Sequence, residues 1–226
     1  MKDSVIIVMA KQPVVGKTKT RLFPALSLQE AADLYQALLM DTLELTSNLP
    51  WADLAVAITP PQSRQYFEQI TPAGTLLLPV EGRDIGECLW RALNLALEMG
   101  YRKALALNSD GPSLPREYLG QAVANLEQAD VVLGPGEDGG YYLVGVRRPN
   151  QAIFEGVAWS TEKVLSQTLE RAARWELSTA LTPPWYDVDT PADLMRLIKE
   201  LDSLPQDRLR HSRRFLANAE IQARFE

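Results

Sequence analysis

The sequence predicts an α/β fold: a single domain built on a doubly wound, mostly parallel sheet with helices on both faces. Short apolar runs alternate with amphipathic helical patterns from residue 5 to about residue 135, which is the chain order typical of a parallel sheet. The apolar runs also lack the alternation of apolar and polar residues that marks a half-exposed strand. This pattern indicates strands that are covered on both faces.

The first predicted strand is the β-branched run from Val5 to Ala10, which we expect in the interior of the sheet. Ser27 and Glu30 form a capping box that begins a helix ending near Ser47. The later patterns predict strands over residues 54–58, 75–78, 104–107, 130–134 and 142–146, and helices over residues 61–70, 87–99, 115–128 and 162–175.

The C-terminal part begins with a clear helix start. Thr190 can cap the helix, Pro191 suits its first turn, and Asp193 stands three residues after the cap. Residues 1–203 are predicted as the α/β domain and residues 204–226 as a helical tail. Arginines at positions 208, 210, 213 and 214 favour a solvated or subunit-contacting tail helix, so the sequence allows a homo-oligomer.

Composition excludes several classes of function. The formal net charge of −6 over 226 residues argues against a nucleic-acid partner. Cys88 is the single cysteine, so neither a disulfide nor a cysteine zinc site can form within the chain. His211, the single histidine, lies in the tail and gives a Ser-His-Asp mechanism no support. No apolar run is long enough for a membrane span and no signal peptide precedes the first strand, so we expect a cytoplasmic protein.

A basic loop at residues 11–22 follows the first strand, which ends at Ala10. Gly16 allows the backbone of this loop to approach a ligand closely. At the carboxyl end of a buried strand such a loop can bind phosphate, and we prefer this interpretation to a solvated basic connection. The expected phosphate ligands are Lys11, Lys17 and Arg21. A nucleotide P-loop is not predicted, because its pattern requires glycine at position 11.

Two further loops are expected at the same edge of the sheet. Gly82 lies in the loop 81–86, for which ligand contact and a plain β-to-α turn are evenly supported. Ser109 and Asp110 follow the strand 104–107, where Asp110 alone is most simply a turn residue. Parallel strands bring these loops together with the basic loop, so Asp110 becomes a candidate ligand of Mg²⁺ or Mn²⁺. Asp189, in the extended stretch before the Thr190 cap, is the second candidate, and Asp187 is a third.

A glycine-rich segment at residues 134–142 separates two predicted strands. The dipeptide Asp138-Gly139 is a strong hairpin signal. Flexible glycines beside fixed carboxylates also suit close contact with a polar small molecule. The sequence supports the hairpin and the ligand contact evenly.

Five motifs resemble a bacterial family of glycosyltransferase-like proteins. They lie at residues 9–22, 108–112, 134–142, 159–161 and 187–194, so the resemblance spans about residues 5–200. The family belongs to the nucleotide-diphospho-sugar transferase superfamily with its Rossmann-like GT-A fold, and its members are often called radical-SAM-associated transferases. Residues 19–22 and 189–191 also resemble the 2-phospholactate guanylyltransferases, which transfer a nucleotidyl group. The D-x-D triplet of glycosyltransferases appears here at residues 108–110, with Asn108 in place of the first acid.

The resemblance implies a metal-dependent transferase that binds a nucleotide-activated donor, in the leading interpretation a nucleotide sugar, and passes its glycosyl group to a small-molecule acceptor. The basic loop and Ser109 would contact the nucleotide phosphates, while Asp110 and Asp189 would hold Mg²⁺ or Mn²⁺. The acceptor would lie beside Asp138, Gly139, Gly140 and Trp159. Two alternatives stay open: nucleotidyl transfer with release of pyrophosphate, and a non-catalytic nucleotide-binding protein.

Overall fold

A computed structural model describes residues 2–47 and 49–225. One sheet is formed by β1 (Ser4–Lys11), β2 (Ala52–Thr59), β3 (Leu76–Pro79), β4 (Lys103–Leu107), β5 (Val131–Pro135), β6 (Tyr141–Val146) and β7 (Thr179–Leu181). The helices are α1 (Leu28–Ser47), α2 (Arg64–Ile70), α3 (Ile85–Glu98), α4 (Arg116–Asn125), α5 (Val164–Arg174), α6 (Pro191–Leu201), α7 (Arg210–Leu216) and α8 (Ala219–Gln222). Every strand and helix that the sequence predicts is present.

The strand order in the sheet is β3-β2-β1-β4-β6-β5-β7. β6 runs antiparallel to both β4 and β5, and the other described pairs are parallel. The predicted, mostly parallel α/β sheet is confirmed. β6 is reversed because the short glycine-rich segment before it is too short for the crossover that parallel strands require.

Successive side chains of β1 enter different parts of the core, as expected for an interior strand. Val5 and Ile7 pack with the buried faces of α3 and α5, and neither is solvent-exposed. Ile6 packs with α1 and α4 residues, and Val8 packs with α1 and α2 residues. Complete burial of each such side chain stabilises the fold by about 1.5–3 kcal/mol. Helices therefore cover both faces of the sheet.

The parallel strands fix the position of the candidate site. The pairing of β1 with β4 ends at Val8 and Leu107, and beyond these residues the two segments separate. Since β1, β3, β4 and β5 run in the same direction, the loops that follow them meet at one edge. This is the edge at which the sequence places the basic loop and Asp110.

The tail packs on the domain instead of standing free. Leu209, Leu216 and Ile221 are at most 7% exposed and share a hydrophobic cluster with residues of α1 and α6. Arg210 pairs with Glu44 of α1. The apolar face of the tail lies against α1 and α6 of the same chain, while the Arg210 side chain is 64% exposed. Contact of the tail with another subunit stays a prediction. The division at residue 203 stays a prediction.

β7 is a strand that the sequence analysis did not predict. It covers only three residues, and its terminal residues Thr179 and Leu181 are exposed, so neither length nor alternation marks it. Asp130 fixes the residue before β7, because it accepts hydrogen bonds from Ser178 N at 3.0 Å and Ser178 Oγ at 2.7 Å. Among the described helices, none is both long and apolar enough to cross a membrane.

Candidate functional site

A crevice of about 1140 Å³ opens at the carboxyl edge of the sheet. The predicted site residues that line it are Ala10, Lys11, Lys17, Arg21, Gly82, Ser109, Asp110 and Asp189. The other predicted site residues lie outside its lining within the described chain; they are Gly16, Asp138, Gly139, Gly140, Trp159 and Asp187. The fold thus brings the basic loop and two carboxylates to one crevice.

The first turn of the basic loop is closed by its own atoms. Lys17 N donates to Val14 O at 3.0 Å, and Val14 N donates to the Thr18 hydroxyl at 2.8 Å. Gly16 lies within this turn at φ +77°, a conformation that residues with a side chain rarely adopt. Gly16 therefore shapes the loop, while the exposed side chains of Lys17 and Arg21 line the crevice.

Lys19 also lines the crevice, although it is not among the site residues that the sequence predicts. Its Nζ lies 2.7 Å from Asp110 Oδ2 and 2.6 Å from Asp189 Oδ1, and its side chain is only 5% exposed. Burial alone would lower the pKa of the Lys19 ammonium, but the two carboxylates together raise it above its usual value. One sequence feature could have identified it, since Lys19 opens the 19–22 pattern shared with the guanylyltransferases.

Asp187 lies near Asp110 and Asp189, but its hydrogen-bond partner is Asn108. Its Oδ1 accepts a hydrogen bond from Asn108 Nδ2 at 2.5 Å. Burial, and next the charge of Asp110, raise the pKa of the Asp187 carboxyl well above its usual range. A Cβ at Gly111 would lie 3.2 Å from Asp187 Oδ1, and Val188 N donates to Asp110 O at 2.9 Å. The segments 108–111 and 186–189 are therefore in direct contact.

The chemistry of this group fits a hard divalent cation, which the family resemblance implies. Asp110, Asp187 and Asp189 supply carboxylate oxygens, the ligands that Mg²⁺ and Mn²⁺ prefer. Among the described cationic side chains, Lys19 contacts Asp110 and Asp189. The exposed Arg21 approaches Asp189, with its Nη1 3.8 Å from Asp189 Oδ2. A divalent cation would add positive charge where the carboxylates of these two chain segments lie close together.

A second group of side chains of the types that can bind a metal ion lies on α1 and α7. The ligand atoms of Asp41, Glu44 and His211 all lie within 4.8 Å of one another. Asp41 accepts hydrogen bonds from His211 N at 2.9 Å and Ser212 N at 2.8 Å, and Glu44 pairs with Arg210 at 2.6 Å. These contacts fasten the tail to α1, so the trio has a structural task without an ion.

Ser109 lines the crevice but its hydroxyl is already engaged in the core. Ser109 Oγ and the Tyr35 hydroxyl are 2.9 Å apart, and Lys11 N donates to the same Tyr35 oxygen at 3.2 Å. This chain of hydrogen bonds ties the end of β1 to the loop after β4. The predicted contact of Ser109 with nucleotide phosphate stays a prediction.

The glycine-rich segment forms the hairpin between β5 and β6. Asp138 Oδ1 accepts from Gly140 N at 2.9 Å, and Gly136 N donates to Gly140 O at 2.9 Å. Gly139 has φ +85°, and a Cβ there would lie 2.3 Å from Glu162 O. The hairpin accounts for these glycines by itself. A contact of Asp138, Gly139 and Gly140 with an acceptor stays a prediction.

Trp159 packs at the start of α3. A Cβ on Gly86 would lie 2.3 Å from Trp159 Cζ2, so the indole occupies the space that a larger residue at position 86 would need. The Trp159 ring stacks on Phe154 at 6.5 Å and meets Tyr141 edge-on at 6.3 Å. Its neighbour Ser160 lines the crevice. Trp159 thus supports one wall of the crevice from behind.

Comparison with known proteins identifies relatives along the whole chain. Residues 42–161 match the model of a family described as "Uncharacterized protein conserved in bacteria (DUF2064)". The crystal structure of a "putative nucleotide-diphospho-sugar transferase" from Desulfovibrio desulfuricans is 30% identical, with a TM-score of 0.90 over 100% of this chain and 99% of that one. No curated protein matches the sequence.

More distant structures share the fold alone. CMP:2-keto-3-deoxy-manno-octonic acid synthetase in complex with CTP is 13% identical, with a TM-score of 0.52 over 90% of this chain and 99% of that one. The 4-diphosphocytidyl-2C-methyl-D-erythritol synthase of Anaerococcus prevotii is 10% identical, with a TM-score of 0.58 over 88% of this chain and 97% of that one. The predicted GT-A type of fold is confirmed.

Proposed function

The chain belongs to the family of proteins conserved in bacteria described as DUF2064, and we propose that it transfers a glycosyl group from a nucleotide-activated donor to a small-molecule acceptor. The description of the Desulfovibrio desulfuricans relative, which matches the full length of the chain, supports a nucleotide-diphospho-sugar donor.

One observation carries this proposal: cationic side chains and carboxylates line the same crevice. Lys11, Lys17 and Arg21 are exposed there, on a chain whose net charge is −6. A local cation cluster on an acidic protein is suited to an anionic ligand, because the crevice concentrates its field. Asp110 and Asp189 line the same crevice, where they contact Lys19 of the loop. Phosphates and a divalent cation are the ligand pair that satisfies both sets of charges.

Each group has a role in the proposed reaction. Lys17 and Lys11 act as point charges on the diphosphate, and Arg21 can donate two hydrogen bonds to it. These cations stabilise the negative charge that develops on the leaving diphosphate. Asp110 and Asp189, with Asp187 as a further ligand, would hold Mg²⁺ or Mn²⁺. When bound, that ion neutralises phosphate charge as a Lewis acid.

The proposed transfer exchanges one bond for another. The acceptor oxygen forms a bond to the anomeric carbon of the sugar, and the bond between that carbon and the diphosphate oxygen breaks. The nucleoside diphosphate leaves with the bonding electron pair, and the acceptor hydroxyl gives up its proton to solvent water. We propose that the acceptor lies toward the hairpin of Asp138, Gly139 and Gly140 and the wall supported by Trp159.

A second candidate, nucleotidyl transfer, is favoured by a specific contact. Residues 19–22 and 189–191 are those that resemble the guanylyltransferases, and Lys19 Nζ lies 2.6 Å from Asp189 Oδ1. In this reaction the acceptor oxygen attacks the α-phosphorus of a nucleoside triphosphate, and pyrophosphate leaves. The two carboxylates that contact Lys19 come from separate segments of the chain. Asn108 stands where the D-x-D triplet has its first acid.

The first experiment is a thermal-shift screen of nucleoside diphosphates, triphosphates and nucleotide sugars, each with and without Mn²⁺. A ligand that binds the folded state alone raises the melting temperature. Product analysis with the ligands that bind then separates the candidates. Released nucleoside diphosphate indicates glycosyl transfer, and released pyrophosphate indicates nucleotidyl transfer. If no nucleotide at millimolar concentration shifts the melting temperature, both candidates are wrong.

A further inference from the structure

We propose that Lys19 is an exchangeable internal cation that makes the crevice bind metal and nucleotide as a pair. In the free protein its ammonium occupies the position between Asp110 and Asp189. When the nucleotide arrives, its phosphates attract the ammonium away, and a divalent cation takes over the carboxylates. This inference rests on the proposed nucleotide-binding function, and it adds an order to the binding events at the same site.

The first observation is the contrast between Lys19 and the other cations of its loop. Lys19 Nζ touches one oxygen of Asp110 and one of Asp189, at 2.7 and 2.6 Å, and its side chain is 5% exposed. Arg21 is 68% exposed and approaches Asp189 no closer than 3.8 Å. Lys19 therefore neutralises the carboxylates, while Arg21 and Lys17 remain open to a ligand.

The second step is that Lys19 and a divalent cation compete. Both would bind the carboxylates of Asp110 and Asp189, and both carry positive charge in a partly buried site where repulsion is weakly screened. The ammonium therefore opposes metal binding to the free protein. This competition weakens metal binding, unless the ammonium receives other anionic partners.

The third step is that the loop lets the side chain move without the backbone. The turn before Lys19 is closed by hydrogen bonds between Val14 and Thr18. After it, Leu22 N donates to Lys19 O at 2.9 Å, and the Leu22 side chain is fully buried. Lys19 therefore stands between two fixed points. Its flexible side chain can turn from the carboxylates to phosphates held by Lys17 and Arg21, which line the same crevice.

The consequence is reciprocal coupling between two ligands. If bound phosphate removes the ammonium, the nucleotide strengthens metal binding, and by linkage the metal strengthens nucleotide binding by the same factor. A substitution that removes the ammonium should therefore raise the affinity for metal alone and reduce the coupling.

The test measures Mn²⁺ binding directly, by electron paramagnetic resonance of the free ion, without any acceptor or turnover. We expect wild type to bind Mn²⁺ weakly in the absence of nucleotide. Lys19→Met should bind Mn²⁺ alone roughly 10-fold or more tightly than wild type, a ratio in the usual range of coupling. Lys19→Arg keeps the competing charge and should bind Mn²⁺ as weakly as wild type. Equal Mn²⁺ affinity in wild type and Lys19→Met would overturn the inference.

Lys17→Met is the matched control from the same loop. Lys17 is exposed and makes no ion pair with a described residue, so this variant should change the affinity for Mn²⁺ alone much less than Lys19→Met does. An increase in Mn²⁺ affinity equal to that of Lys19→Met would show a general charge effect and would contradict the exchange.

A second measurement uses wild type, in case Lys19→Met does not fold. The affinity for Mn²⁺ is determined with ADP, GDP, CDP and UDP in turn, after correction for Mn²⁺ bound by the nucleotide in solution. We expect the diphosphate that binds to strengthen Mn²⁺ binding at least about 5-fold. A diphosphate that binds without changing the affinity for Mn²⁺ would overturn the inference about Lys19 and leave the proposed function standing. If none of the four diphosphates binds, the measurement is repeated with the triphosphates and nucleotide sugars of the thermal-shift screen, and the failure of all of them counts against the proposed function. Where Lys19→Met folds, its comparison with wild type decides separately whether ammonium and metal compete.

Discussion

Asn108 donates a hydrogen bond from Nδ2 to Oδ1 of Asp187, at 2.5 Å, across 79 residues of sequence. This contact gives the amide at position 108 a defined task, which an ionised carboxylate could not perform, because it has no donor hydrogen. Where the D-x-D triplet has its first carboxylate, this chain has a donor that stabilises another carboxylate. Asn108 therefore connects the segment after β4 to the segment before α6 through Asp187.

The variant Asn108→Asp should be destabilised at neutral pH. It removes the donor and places two carboxylates in contact, which we expect to lower the free energy of unfolding by about 2 kcal/mol. Like charge raises the pKa of both carboxyls in the fold, so the loss should be small near pH 4 and grow as pH rises toward 8. Chemical denaturation at several pH values measures it.

Asn94→Asp is the matched control for this variant. Asn94 donates to Glu98 at 2.8 Å on an exposed face of α3, so the same substitution creates an i,i+4 pair of like charges in solvent. Such a pair costs only about 0.2–0.5 kcal/mol. Equal destabilisation by both substitutions would contradict the proposed support of Asp187 by Asn108.

The variant Asp110→Asn should lose turnover by at least about 100-fold, the scale of losing a principal electrostatic stabiliser. The substitution keeps the shape of the side chain but removes the charge that contacts Lys19 and would hold the metal. Initial rates in the assay identified by product analysis measure the effect, with thermal unfolding as a check that the variant folds. Asp202→Asn, in an exposed position, should keep the wild-type rate. A near-wild-type rate for Asp110→Asn would rule out its proposed role.

The variant Gly86→Ala should destabilise the fold by about 1–3 kcal/mol, because its methyl group needs the space of the Trp159 indole. Gly120→Ala is the control, since the nearest atom to its methyl group, Trp51 Cζ2, is 3.9 Å away. It lies inside α4, where alanine stabilises a helix by about 0.5–1 kcal/mol relative to glycine. Denaturant unfolding of both variants should therefore give shifts of opposite sign.

The variant Asp130→Asn should lose stability in a pH-dependent way. The Ser178 hydroxyl, and after it Arg147, lower the pKa of Asp130 from 3.8 to about 2. A carboxyl whose pKa is lowered by folding contributes stability above its unfolded pKa and loses it as pH falls to its folded pKa. The melting temperature of Asp130→Asn should therefore lie below wild type at pH 7, with the difference vanishing near pH 2. A difference that persists at pH 2 would show that the charge is not its cause.

The sequence could predict the sheet because burial on both faces leaves a local mark. Val5 to Val8 are apolar at every position, since both faces of β1 are covered, and the other main strands carry similar runs. β7 shows no such apolar run, because three residues are too few to form a recognisable pattern. The strand is positioned by the long-range contact of Asp130 with Ser178. The tail likewise depends on contacts with α1 that no local pattern displays.

The site could be predicted only in part for the same reason. Asp110 could be placed at the sheet edge from the strand before it. The role of Lys19 could not be read in this way, since its partner Asp189 is 170 residues away and its backbone takes the left-handed φ of 51°. Lys17, Lys19 and Arg21 are alike as charges in sequence, whereas in the fold the Lys19 side chain is 5% exposed and Lys17 and Arg21 are exposed.

The contact of Lys19 with Asp189 joins the beginning of the chain to its last quarter, and this has a consequence for biosynthesis. A nascent chain that has not yet supplied residues 186–189 lacks one of the two carboxylates that contact Lys19 and the partner of Asn108. Contacts of such sequence separation form late in folding, because a long loop must close first. On the proposed function, a ribosome-stalled chain that ends before residue 187 should therefore not yet bind Mn²⁺ at this site.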